Sequence, residues 1–206
     1  MKKVFGRIAA VLMVVILFGL VIEGCAKRVT RVSSDAVTDI SGRWNDTDSK
    51  MVADKIVSDC LVAPWMGEWL SANNNKRPIV IVGTIVNKSY EHINVETFVK
   101  DIETSLIGSQ KVRFVSSRDE RGELRDERRD QQEGWTADKT KAKVGAEIGA
   151  NFIMKGTLNT IVDEAGGTKA VWYQVNVELH DLSTNEIVYI GQTKIKKVIE
   201  KSSTRW

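Results

Sequence analysis

Cys25 is the residue of this chain with the plainest covalent chemistry. It follows Gly24 at the end of a head that opens Met1-Lys2-Lys3, adds Arg7 and then runs almost unbroken apolar from Ile8 to Ile22. A basic start, an apolar middle and a small residue at the cut define a secretory signal. A cysteine directly after the small residue narrows this to a bacterial lipoprotein signal, in which the thiol is acylated before cleavage. The apolar run falls short of the about 20 residues that a spanning helix needs. The expectation is a chain cleaved after residue 24 and held to a membrane by acyl chains on Cys25. Each buried methylene contributes about 0.8 kcal/mol, so one acyl chain holds marginally and two or more hold stably. Ala26, not aspartate, follows the cysteine. That matches the default for transfer to the outer membrane in diderm bacteria, with the protein on its periplasmic face.

The remaining chemistry is sparse. His92 and His180 are the only histidines, and neither has a carboxylate or cysteine at the spacing of a metal site. No serine sits in a nucleophile elbow. Gly166-Gly167 reads as a hairpin turn, not as a phosphate loop between strand and helix. Asp46 and Asp48 lack the glycine and distal glutamate of a calcium loop, and helix capping accounts for them. Cys60, among Ile56, Val57 and Leu61, reads as a buried structural thiol. The expectation is a protein that is not an enzyme and uses no cofactor, metal or small-molecule substrate.

Arg118 to Glu133 (RDERGELRDERRDQQE) holds a single apolar residue, Leu124. On a helix each residue advances about 100°. Arg118, Arg121, Arg125, Arg128 and Arg129 would then share an arc of roughly 100°, with Asp119, Glu123, Asp126, Glu127 and Asp130 on the adjoining one. Like charges at i,i+4 cost about 0.2–0.5 kcal/mol per pair. A purely solvated helix does better with its signs mixed, so segregation points to something that pairs with the arginines, in the domain or on a partner. Trp and Arg are enriched at binding hot spots. Trp44, Arg118, Arg121, Arg125 and Trp135 are therefore the candidate partner-binding residues, with Trp65, Trp69 and Trp172 assigned to packing.

The elements that must position these residues follow from periodicity. Removal of residues 1–24 takes away three basic side chains and one acidic one, leaving 27 basic against 26 acidic and a net charge of +1. Nothing in that balance asks for nucleic acid. About 180 mature residues suit one domain with a real core. Residues 25–40 read as the lipidated cysteine and a short flexible tether, and 41–206 as a globular domain. Lys27 to Ile40, fully extended, spans roughly 50 Å.

Asp48 or Ser49 is the expected cap of a first helix, which Pro64 interrupts. Ile79 to Val86 reads as a central strand covered on both faces. Asn94 caps a helix with the stripe Val95, Phe98, Val99, Ile102 and Leu106. A short strand, Val112 to Val115, and a further helix, about Thr136 to Gly149, follow. The last third alternates with period two, broken at Glu164–Gly167 and Ser183–Asn185, which predicts antiparallel hairpins with one buried face. The fold class is α+β: a mostly antiparallel sheet of four to five strands with helices packed on it.

Three stretches carry a family resemblance. Ser41-Gly-Arg-Trp-Asn-Asp-Thr-Asp-Ser49 ahead of a helix, Gly149-Ala-Asn-Phe-Ile-Met-Lys-Gly156, and Tyr173 to Asn185 running on into Gly191–Lys197 together resemble the LpoB-type penicillin-binding-protein activators. The resemblance implies a domain like the N-terminal domain of TolB. It also implies a non-catalytic outer-membrane lipoprotein that binds a bifunctional class A penicillin-binding protein and stimulates peptidoglycan synthesis. The chain departs from that pattern in its short tether, where the best-studied activators have a long linker. Two rivals stand beside it. A lipoprotein component of a curli-type secretion pore would need lipid-facing strands, but Gln174, Asn176, Glu178 and His180 give the Lys169–Asp181 strand a polar face. An envelope enzyme is disfavoured by the missing motifs.

Overall fold

A computed structural model describes residues 29–33, 36–118 and 120–200. The signal segment, Cys25 and Asp119 lie outside the described residues. The chain divides into two units, Met1–Ala36 and Val37–Trp206. Of the first, the described part holds one turn, in which the Ala36 amide donates to the Ser33 carbonyl at 3.1 Å. The second unit is the folded domain.

Helix α1 spans Asp46–Val62. Its cap is Asn45, not Asp48 or Ser49: Asn45 accepts from the Asp48 amide, and the Asp48 carboxylate accepts from the Asn45 amide, a reciprocal capping box. Val52, Ala53, Ile56, Val57, Cys60 and Leu61 are buried from it. Pro64 begins α2 (Pro64–Ala72) at a first-turn position, where its missing N–H leaves no bond unmade. Strand β1 is Ile79–Asn87, α3 is Val95–Gly108 with Asn94 as cap, and β2 is Arg113–Phe114. Helix α4 is Arg121–Gln132. Three long strands follow: β3 Phe152–Ala165, β4 Thr168–Asp181 and β5 Ile187–Glu200.

The sheet runs β2-β1-β3-β4-β5. β1 is parallel to both β2 and β3, while β3, β4 and β5 form an antiparallel meander. Gly166 (φ 59°) and Gly167 (φ 86°) make the two-residue turn between β3 and β4, whose twist needs positive φ at both positions. Period two places Met154, Leu158, Val171, Tyr173, Val175, Val177 and Leu179 on one sheet face, where they meet Phe98, Ile102 and Leu106 of α3 and the buried face of α1. Trp65 and Trp69 close that core against Phe152 with centroids at 5.0 and 5.1 Å. The other face carries Trp172, 47% exposed beneath Lys196, and the polar row Gln174, Asn176, Glu178 and His180. β1 is covered on both faces only at its start, where Ile79 and Val80 are both buried; Val82 and Ile85 stay buried on the core side, and Val86 is exposed.

The expected helix from Thr136 to Gly149 does not form. That segment is irregular, with Gly145 at φ +76° and Val144 and Ile148 exposed. Most helical stability comes from packing an apolar face, and here Val144 and Ile148 bury none. Cys60 is 1% exposed, and burial pushes its thiol up to about 12. Only the thiolate reacts with alkylating agents. Cys60 is therefore expected to stay unmodified by iodoacetamide at pH 8 in the folded chain and to react fully in 6 M guanidinium. Mass spectrometry showing rapid native labelling would contradict this burial.

Candidate partner-binding surface

Two features frame the functional side chains. The first is a clasp made by the segment leading into α1. Gly42 sits at φ +67°, and a Cβ there would lie 2.5 Å from Ile199 Cγ1, so only glycine lets the chain pass that close. Trp44 then turns inward. Its ring meets Phe98 edge-on at 5.9 Å and Tyr173 at 5.5 Å, and its indole N–H donates to Ser49 Oγ at 3.0 Å. The Trp44 amide donates to Glu91 Oε2, and Tyr173 donates its hydroxyl to Glu91 Oε1 at 2.6 Å. Burial and the Glu91 carboxylate both hold the Tyr173 phenol well above its ordinary range.

Lys197 completes the clasp from β5. Its ammonium donates to Asp48 at 2.6 Å, Asp39 at 2.9 Å and the Arg43 carbonyl at 2.9 Å, which uses all three N–H bonds. Burial works against this charge, but the bonds to the two carboxylates outweigh it and raise the Lys197 pKa. The same ammonium lowers the Asp39 pKa. Asp39, placed in the tether by sequence, is thus bonded into the folded unit.

The second feature is α4. None of its residues is buried. Its arginines do find a partner, and for two of them that partner is internal. Arg125 grips Glu147 with two bonds of 2.9 Å, and Arg128 adds a third at 2.6 Å. Hydrogen bonds from Arg125 and then Arg128 take the Glu147 carboxyl down to about 2. Gln131 accepts from the Ala142 amide and Gln132 donates to its carbonyl, so the 136–150 segment is tied along the helix.

A pH dependence follows. The folded pKa of Glu147 is depressed, so its stabilisation is present above the ordinary glutamate value of about 4.3 and is lost as pH falls toward 2. Exposed ion pairs are screened by solvent and contribute little to global stability. Glu147→Gln, compared with the parent at one fixed pH above 5, should raise amide exchange in residues 136–150 several-fold while leaving the melting temperature nearly unchanged. Unchanged exchange would show that the segment is held by something else.

The candidate residues therefore divide. Arg118 and Arg121 lie together in the wall of a groove beside β1. Arg125, one turn further, is spent on Glu147. Trp135, 91% exposed, stands just past the end of α4. Trp44 is half-buried against Phe98 and Tyr173, where an exposed anchor was expected. The Asp39–Lys197–Asp48 and Glu91–Tyr173 contacts went unread in sequence. Parity in β5 was a usable signal for the first, since Lys197 falls between Ile195 and Ile199 on the inward face.

His180 Nε2 lies 3.0 Å from Glu178 Oε2 on the open sheet face. Among the described residues no cluster of His, Cys, Asp or Glu could hold a metal ion, and no helix is long and apolar enough to cross a membrane.

Fold and surface together define a small α+β domain with a clasped leading segment and a cationic groove. A sequence model of the peptidoglycan-synthase activator LpoB matches residues 48–195, and the chain belongs to that family. The family is one of envelope lipoproteins that activate synthases and not one of catalysts. Among solved structures the chain is similar to the LpoB C-terminal domain from Salmonella enterica, with 14% identity over 72% of this chain and 98% of that one, TM-score 0.41. It is similar to the LpoB C-terminal domain from Escherichia coli, with 15% identity over 75% and 99%, TM-score 0.40. Lipoprotein GNA1162 from Neisseria meningitidis matches with 11% identity over 62% and 88%, TM-score 0.37. No curated protein matches the chain.

Proposed function

We propose that the chain is a non-catalytic activator of a bifunctional class A penicillin-binding protein, anchored by acyl chains on Cys25 to the periplasmic face of the outer membrane. In this reading residues 1–24 are removed on export, residues 25–40 tether the domain, and the domain binds the synthase and stimulates glycan polymerisation and cross-linking. The observation that carries it is the family match over residues 48–195, which runs from the first turn of α1 into β5. Arg118, Arg121 and Trp135 are the side chains left for the partner once Arg125 is assigned to Glu147 and Trp44 to the core. The tether reaches roughly 50 Å at most, so the synthase must extend outward to meet the domain.

The test is retention of a synthase from detergent-solubilised envelopes on the immobilised chain, read with fluorescent penicillin. A labelled class A band that is retained, and whose purified form polymerises glycan faster when the chain is added, is the expected result. An empty lane beside a folded bait would overturn the reading.

A further inference from the structure

β1 is a nine-residue strand with a two-residue neighbour on its outer side. β2 pairs only with Ile79 and Val80, so no strand among the described residues covers that edge from Ile81 to Asn87. An open edge presents unpaired backbone donors and acceptors, and proteins seldom leave a long one unguarded. Beside it runs a groove of about 750 Å³. Its floor is Ile81–Ile85, with Ile153 lying over Gly83: a Cβ on Gly83 would come within 2.8 Å of Ile153 Cδ1. Val95 and Val99 of α3 form one wall, and the approach to α4, with Arg118 and Arg121, forms the other.

Among the described residues, three of the groove's four cations have no ion pair. Of its carboxylates, Glu103 and Glu120 both hold Lys100, and Glu96 lies in the first turn of α3, where the helix end favours a negative charge. Arg118, Arg121 and Lys155 line the same groove with no ion pair among the described residues. The Nε of Arg121 is buried and has no hydrogen-bond partner. A buried donor without an acceptor is costly, and more so when it is charged. The acceptor that suits a guanidinium fork is a carboxylate.

We infer that this groove is where the synthase docks, by adding a short extended segment with alternating acidic and apolar residues to the free edge of β1. The inference rests on the partner reading above. Main-chain bonds to the edge give such a segment its affinity, and alternate side chains give it specificity. Its apolar residues face Val95 and Val99 of α3, and its carboxylates, on the opposite face of the strand, meet Arg121, Arg118 and Lys155. A second copy of this chain is a poor occupant. The register irregularity between Val82 and Ile85 bends the edge away from flat self-pairing, and a symmetric contact would set the same arginines against each other.

The experiment uses the full chain in detergent micelles and amide exchange read by mass spectrometry. The first probe is a capped hexapeptide alternating Glu and Val at millimolar concentration, with a Lys-Val counterpart as control. Expected is at least tenfold slower exchange within residues 81–87 for the Glu-Val peptide and no change for the Lys-Val one. Arg121→Glu should weaken the peptide at least tenfold, Arg121→Lys less, and Lys155→Glu gives a second variant remote from α4. Melting curves that match the parent show the variants folded. Unchanged exchange at 81–87 overturns the inference. The second probe is a purified class A synthase, which should protect the same amides. A synthase that binds while 81–87 exchange freely overturns the groove as its dock and leaves the partner reading standing. A synthase that fails to bind a chain whose groove takes the peptide overturns the partner reading, and the synthase half of this inference with it.

Discussion

Lys197→Met should destabilise the domain by about 3 kcal/mol, the largest loss expected from a single charge change in this protein. The Lys197 side chain is 8% exposed and that of Asp48 is 6%. Removing one member of a buried, hydrogen-bonded pair leaves the other charged and desolvated, at a cost of about 3–5 kcal/mol. Partial relief from the capping bond to the Asn45 amide argues for the lower end. Asp39, by contrast, is 41% exposed, and Asp39→Asn should cost under about 1 kcal/mol. The double variant Lys197→Met/Asp48→Asn should recover part of the loss, because the amide keeps an acceptor for the cap without a buried charge. Urea unfolding reads all three. A Lys197→Met midpoint equal to that of the parent would refute the buried pair as a stabilising contact.

The signs fix the pH window of the same cluster. Lys197 has its folded pKa raised, so its contribution is complete below the unfolded value of about 10.4 and is lost as pH climbs through the folded one. Asp39 has its folded pKa lowered, so its contribution is complete above about 3.9 and is lost as pH falls. Between these limits neither Lys197 nor Asp39 adds a pH dependence to stability.

Wherever period and punctuation agree, the elements were legible. The α3 stripe, the β3–β4–β5 meander and the Gly166-Gly167 turn needed nothing beyond local pattern, because in each the residues that specify the element also bury its face. The Thr136–Gly149 helix was misread because glycines and small residues that permit close packing say nothing about whether a surface exists to pack on. Reading the arginine segment gave a correct physical premise, that segregated charge needs a partner, yet the partner could not be located. Glu147 stands in an irregular stretch, and only the fold returns it to Arg125. The free edge of β1 was equally hidden, since it depends on how soon β2 stops. Parity could have exposed Lys197, the one cation on the inward face of β5.

Trp44 is where the two kinds of reading part most sharply, and its substitution separates them. Trp44→Ala removes an indole held between Phe98 and Tyr173 and frees the Ser49 hydroxyl. Fully buried Trp→Ala changes cost about 3–5 kcal/mol. Trp44 is half-buried, so about 2–3 kcal/mol is expected, with Trp44→Phe keeping most of the stacking and losing only the indole bond. Tyr173→Phe should couple to Trp44→Ala by about 0.5–1.5 kcal/mol in a double-mutant cycle, since the two rings touch. Loss of the indole also releases the leading segment, so trypsin should cut at Arg43 faster than in the parent. A core role and a binding role then predict opposite results at a temperature well below unfolding. As a core residue, Trp44→Ala leaves synthase retention unchanged there, because the groove beside β1 keeps its shape while the clasp loosens. As an interface anchor, it would lose retention in full while melting like the parent. The ring's contacts with Phe98 and Tyr173 favour the first outcome, and a parent-like melt with lost binding would return Trp44 to the partner surface.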